Sequence, residues 1–144
     1  MAYYRINDLE DFSSETSQAR FKLVDGMLSI DVKPDAIVDS TFVERIERFR
    51  KEMTKGLELP VLVFIPSNYL ILDKEAFAAF GSDSGMDGCL AKAVVIRAPL
   101  RVLLMNFSLG FYRGKRPFRL FASKSEAKMW LFSHVNVDEL MAEQ

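Results

Sequence analysis

Histidine and cysteine are nearly missing from this chain, with one of each, His134 and Cys89, in 144 residues. A lone cysteine excludes an internal disulfide and suits a reducing compartment. With so few imidazole and thiolate ligands, a zinc site would need carboxylates at a recognisable spacing, and no such spacing occurs. An excess of either charge is missing too: 19 basic residues face 20 acidic ones, for a net charge of −1. That balance argues against a dedicated DNA binder, whose affinity rests on neutralising phosphates. No long hydrophobic run is present. A spanning helix needs about 20 apolar residues, and Lys92, Arg97 and Arg101 break the best candidate. The opening "MAYYRINDLEDFSSETSQAR" has no basic stretch followed by an apolar one, which speaks against secretion. The expectation is a soluble, cytoplasmic protein without a transmembrane segment.

What the chain does hold is apolar mass, 49% of residues including 12 Phe. A single domain of this length can build a core without disulfide staples. The expected divisions are an N-terminal arm over 1–19, an α/β domain over 20–132 and a polar C-terminal tail over 133–144.

In "FKLVDGMLSIDV", apolar alternation on both sides of Asp25-Gly26 marks a β-hairpin, because a type I′ turn needs positive φ. In "DSTFVERIERFRKEMTKG", residues Phe42, Val43, Ile46, Phe49 and Met53 share a helical face. Thr41 with Glu44 can form a capping box, and Gly56 is a natural stop. "PVLVFI" and "AKAVVI" read as strands buried on both faces. Between them Asp73 can cap a short helix, "KEAFAAF", followed by a loop, "GSDSGMDG". Pro99 suits the first position of the next helix, which a basic turn, "YRGKRP", ends. "PFRLF" is a third buried-type strand, and Ser123 with Glu126 can box the last helix. Strands alternating with helices imply a small, open, mostly parallel sheet, with an N-terminal β-hairpin and helices on both faces.

Catalytic signatures do not appear. Ser67, Asp73 and His134 could be written as a triad, but no G-x-S-x-G elbow accompanies them. "GSDSGMDG" precedes a strand and lacks the lysine of a phosphate-binding loop, and its oxygens do not alternate as a calcium loop requires. Cys89 reads as a small buried hydrophobe, and His134 as a surface or packing residue.

On the helix from Pro99, Asn106 falls on the same side as Val102, Leu103 and Gly110, toward the sheet, as a self-satisfied buried amide. The opposite side carries Arg101, Leu104, Met105, Ser108 and Tyr112, too apolar for a monomer surface. The flanking arm or tail, a second subunit, or an apolar ligand could cover it.

From Ala91 onward, "AVVI", Pro99-Leu100, "NFSLGF", "RPFRLF" and "EAKMWL" together resemble a small bacterial family in the SpoIIAA-like (STAS-like) superfamily. The resemblance implies an α/β sandwich with no known cofactor and no established catalytic residues. Better-understood relatives antagonise anti-sigma factors and are switched by phosphorylation of a serine at a helix start. Here that place reads Asp73, Lys74, Glu75, without a hydroxyl, so the switch is not carried over. Ser67 lies in the preceding connection rather than at the cap. Ala98 stands where such helices often carry a capping serine.

The expected function is therefore a non-enzymatic regulatory or protein-interaction module that forms a homo-oligomer, most simply a dimer. Its surface would comprise Arg101, Leu104, Met105, Ser108 and Tyr112 with the basic turn Arg113, Lys115 and Arg116. The alternative is a binder of a small apolar or lipid-like ligand, by analogy with lipid-carrying relatives. No metal or cofactor is expected.

Overall fold

The computed structural model describes residues 11–34, 36–66, 74–97 and 116–142, with side chains up to His134 in the last helix. Among them six strands form one sheet in the order β1-β2-β3-β4-β5-β6. These are β1 (Phe12–Glu15), β2 (Ala19–Val24), β3 (Met27–Val32), β4 (Leu59–Ile65), β5 (Cys89–Ile96) and β6 (Phe118–Phe121). The first three pair antiparallel, and β3 through β6 pair parallel. Four helices accompany them: α1 (Ser40–Thr54), α2 (Lys74–Gly81), α3 (Asp83–Met86) and α4 (Lys124–Ala142). This is the small open α/β sheet with an N-terminal hairpin that the residue pattern implies.

The hairpin turns where expected. Asp25 and Gly26 both take positive φ, 52° and 76°, as a two-residue type I′ connection demands. Strand alternation then sorts the side chains. Phe21, Leu23, Leu28, Ile30, Val61, Val63 and Val94 point to one face, where Phe42, Val43 and Ile46 of α1 and Phe77 and Phe80 of α2 complete the larger core. Phe49 of α1 reaches Phe21, with ring centroids 4.7 Å apart. On the other face, Leu62, Ala91, Ala93, Val95 and Phe121 pack under Ala127 and Leu131 of α4. The small alanines of β5 let α4 settle close to the sheet. Pro60 lies in β4 beside a register shift at Leu59/Pro60, where a residue with no N–H does least harm to the ladder.

Three boundaries differ from the sequence reading. Asp39, not Thr41, caps α1: its Oδ1 accepts the Phe42 N–H at 2.8 Å, which puts Ser40 and Thr41 inside the first turn. A carboxylate there also meets the positive end of the helix dipole. The arm expected over 1–19 contains β1, which holds its place through backbone pairing to β2 and so shows no apolar alternation. The domain end expected at 132 falls within α4, because "SHVNVDELMA" offers neither Gly nor Pro to stop it. Asp73, Ala98, Asn106 and the whole helix expected from Pro99 lie outside the described residues.

Candidate functional site

The densest cluster of ionisable groups sits inside the larger core rather than on the surface. Helix α1 buries two adjacent stripes. One is apolar, and the other runs Val43, Glu47, Arg50, Thr54, spaced as a 3.6-residue repeat requires. Strand β5 contributes Lys92, whose alternation places it with Val94 on the α1–α2 side of the sheet. Arg50 and Lys92 are 0% exposed and Glu47 3%.

Each of these charges is tied down. The Lys92 ammonium donates to Glu47 Oε1, to the Phe80 carbonyl at 3.0 Å and to the Gly85 carbonyl at 2.5 Å. Three partners use its three protons. Arg50 Nε donates to Glu47 Oε2 at 2.5 Å, and its Nη2 reaches the carbonyls of Gly85 (3.2 Å) and Asp87 (2.7 Å). Among the described residues, Arg50 Nη1 has no hydrogen-bond acceptor. The Cys89 thiol completes the cluster, 3.8 Å from the same Gly85 carbonyl. Burial pushes this thiol above its usual value, and the neighbouring Lys92 and Arg50 charges only partly counter that.

The carbonyls belong to the segment read from sequence as a loop. "GSDSGMDG" instead forms the last residue of α2, the short α3 and a turn. Ser82 caps α3: its hydroxyl donates to the Ala79 carbonyl (2.7 Å) and accepts the Gly85 N–H (3.1 Å). Gly85 has to be glycine, because a Cβ there would stand 2.3 Å from the Ala79 carbonyl oxygen. Two cations and a carboxylate thus bolt α1, β5 and the α2–α3 corner together. An ammonium with every proton donated has no free pair with which to attack, and a carboxylate shared by two cations makes a poor base. The cluster is built to hold structure.

Outside α3 an open pocket of about 540 Å³ is lined by Lys51, Asp83, Ser84, Met86, Asp87 and Arg116. Its rim is polar, and Lys51 Nζ donates to Ser84 Oγ at 3.1 Å. Arg116 is the member of the expected interaction surface that lies within the described residues. Its guanidinium donates to the Cys89 carbonyl (2.9 Å) and to Glu58 Oε1 (2.7 Å). Arg101, Leu104, Met105, Ser108, Tyr112, Arg113 and Lys115 lie outside the described residues. His134 packs edge-on against Trp130, with centroids 4.6 Å apart. Among the described residues no three His, Cys, Asp or Glu side chains come together as metal ligands, and no helix is long and apolar enough to cross a membrane.

Sequence reasoning missed the buried cluster, although a signal was there. Lys92 interrupts an otherwise apolar strand, and Glu47 and Arg50 fall next to the buried stripe of α1. A charge at a core position needs an opposite charge nearby.

Residues 21–135 match the family model described as Domain of unknown function (DUF7793). No curated protein and no solved structure matches the chain.

Proposed function

The chain belongs to the DUF7793 family, and we propose that it is a non-enzymatic, STAS-like interaction module that works by self-association and contact with a protein partner. The observation that supports this reading is where the structure spends its charges and where it leaves its apolar surface. Glu47, Arg50 and Lys92, the groups acid–base or nucleophilic chemistry could recruit, are consumed as cross-links between elements. Met129 and Phe132, one turn apart on α4, turn away from the sheet and are 73% and 47% exposed. Large apolar side chains left in water on one helix face suit association better than solubility. The sequence around Leu104 and Met105 is apolar as well.

Sedimentation equilibrium on the wild type and on Leu104→Glu tests the interface. A dimer that falls to monomer on substitution, with unchanged circular dichroism, supports the proposal. An assembly mass untouched by Leu104→Glu means that this stretch is not the contact.

A further inference from the structure

Helix α4 covers β4, β5 and β6 on its side of the sheet, and Met27 of β3 joins that packed cluster, while Ser13, Glu15, Arg20 and Lys22 of β1 and β2 are exposed. Register shows what that open face presents. Ser13 pairs with Lys22 and Glu15 with Arg20 across β1–β2, while Lys22 pairs with Ser29 and Arg20 with Asp31 across β2–β3. Lys33 continues the row and bridges to Glu15. The wall beside this floor is the near flank of α4. There Lys124 lies 4.0 Å from the centre of the Phe64 ring and 3.6 Å from Asp31, and Lys128 follows one turn later, exposed. Arg97, at the end of β5, approaches the same Phe64 ring at 5.5 Å.

Floor and wall therefore gather six cations, Arg20, Lys22, Lys33, Arg97, Lys124 and Lys128, against three carboxylates, Glu15, Asp31 and, at the hairpin end, Asp11. That excess of three positive charges sits in a chain whose net charge is −1, so the remaining residues carry a net four negative charges. The even composition hides a segregation in space, and a surface of predominantly one sign steers ligands of the other. Lys22 and Arg97 have no carboxylate partner among the described residues.

We infer that this open sheet face, walled by the first turns of α4, is a docking site for an acidic segment of a partner protein. Three features select a carboxylate-rich peptide among polyanions. Glu15 and Asp31 interrupt the positive field and would repel a continuous phosphate backbone, whereas a peptide can place its carboxylates between them. Among the described residues the aromatic ring at the patch is Phe64, which already has Lys124 and Arg97 against it, and this removes the platform that bases would stack on. The surface is a corner between sheet and helix, not a plane that could lie on a membrane. Ser13 and Ser29 add hydroxyls between the cations, able to hydrogen-bond a peptide backbone.

Its residues are other than those named for self-association, and it is tested separately. The full chain is titrated with a labelled peptide rich in Glu and Asp, followed by fluorescence anisotropy and by amide NMR shifts. The expected result is binding that weakens as salt rises, with shifts centred on Ser13, Lys22, Ser29 and Lys124. Lys22→Glu combined with Lys128→Glu should weaken it at least tenfold, while Lys55→Glu, on the α1 side, leaves it within twofold. Circular dichroism confirms that the variants are folded. Absence of binding, equal loss in the Lys55→Glu control, or tighter binding of single-stranded RNA or anionic vesicles would each overturn the assignment.

Discussion

Replacing Glu47 by glutamine should cost the fold more than replacing Lys92 by methionine, although both changes remove one charge from the same buried cluster. The three side chains together carry one net positive charge away from water. Glu47→Gln raises that to two, with no carboxylate left for either Lys92 or Arg50. The repulsion between the two cations is then no longer offset by a carboxylate that attracts both. Breaking a buried ion pair from one side costs about 3–5 kcal/mol. Lys92→Met instead brings the buried charge to zero. Glu47 keeps Arg50, and the Gly85 carbonyl keeps its Arg50 donor. The Phe80 carbonyl and Glu47 Oε1 lose their lysine donor and the Gly85 carbonyl loses one of two, a penalty of about 1–3 kcal/mol for a buried acceptor left unpaired, which methionine offsets in part by filling the same apolar volume. Since domains of this kind are stable by about 5–15 kcal/mol in all, the difference is large enough to read. Urea unfolding, followed through the single tryptophan, Trp130, gives both values if the denaturant slope is unchanged. The double variant should cost less than the sum of the two, because Glu47 and Lys92 are in direct contact. A Lys92→Met penalty equal to or above that of Glu47→Gln would refute the charge accounting.

Three further outcomes follow from local geometry. Asp39→Ala should lose about 1 kcal/mol through the α1 cap while Thr41→Ala stays within about 0.5 kcal/mol, both read from urea midpoints. Gly85→Ala should abolish the cooperative thermal transition, because the added methyl meets backbone oxygen on α2. Gly56→Ala, at φ +80° but in open space, should cost only about 1–2 kcal/mol. The Cys89 thiol should resist an aromatic disulfide reagent until the protein unfolds. Its proton is held more tightly in the folded state, so this contribution is whole below the ordinary thiol value of 9.0 and lost as pH climbs through the raised one. Cys89→Ala should therefore show a shallower alkaline fall in melting temperature.

Much of the architecture could be read from local pattern. Asp-Gly between alternating apolar residues placed the hairpin, and the unbroken runs "PVLVFI" and "AKAVVI" placed the central parallel strands, because these signals are carried by adjacent residues. β1 escaped, since a strand held by backbone pairing at a sheet edge needs no apolar alternation. The true start of α1 was obscured because Asp39, Ser40 and Thr41 are all competent caps, and only the tertiary path decides among them. The Glu47–Arg50–Lys92 cluster was invisible as a cluster for a related reason. Glu47 and Lys92 are 45 residues apart in sequence, and most of the cluster's hydrogen-bond acceptors are main-chain carbonyls, which every residue has. The segregation of charge onto one sheet face is likewise absent from composition, which adds the two faces together. Period-2 alternation in β2 does record it, in Arg20 and Lys22, once the sheet shows which side α4 occupies.

The most direct test of the proposed self-association is native mass spectrometry of the gently purified chain, repeated after denaturation. The proposal expects a dimer, or a higher closed assembly, whose mass is a whole multiple of the 16.4 kDa chain and whose subunits carry nothing extra. A bare monomer at micromolar concentration would contradict it. So would a subunit carrying a few hundred additional daltons that vanish on denaturation, which would make the apolar surface a ligand site instead.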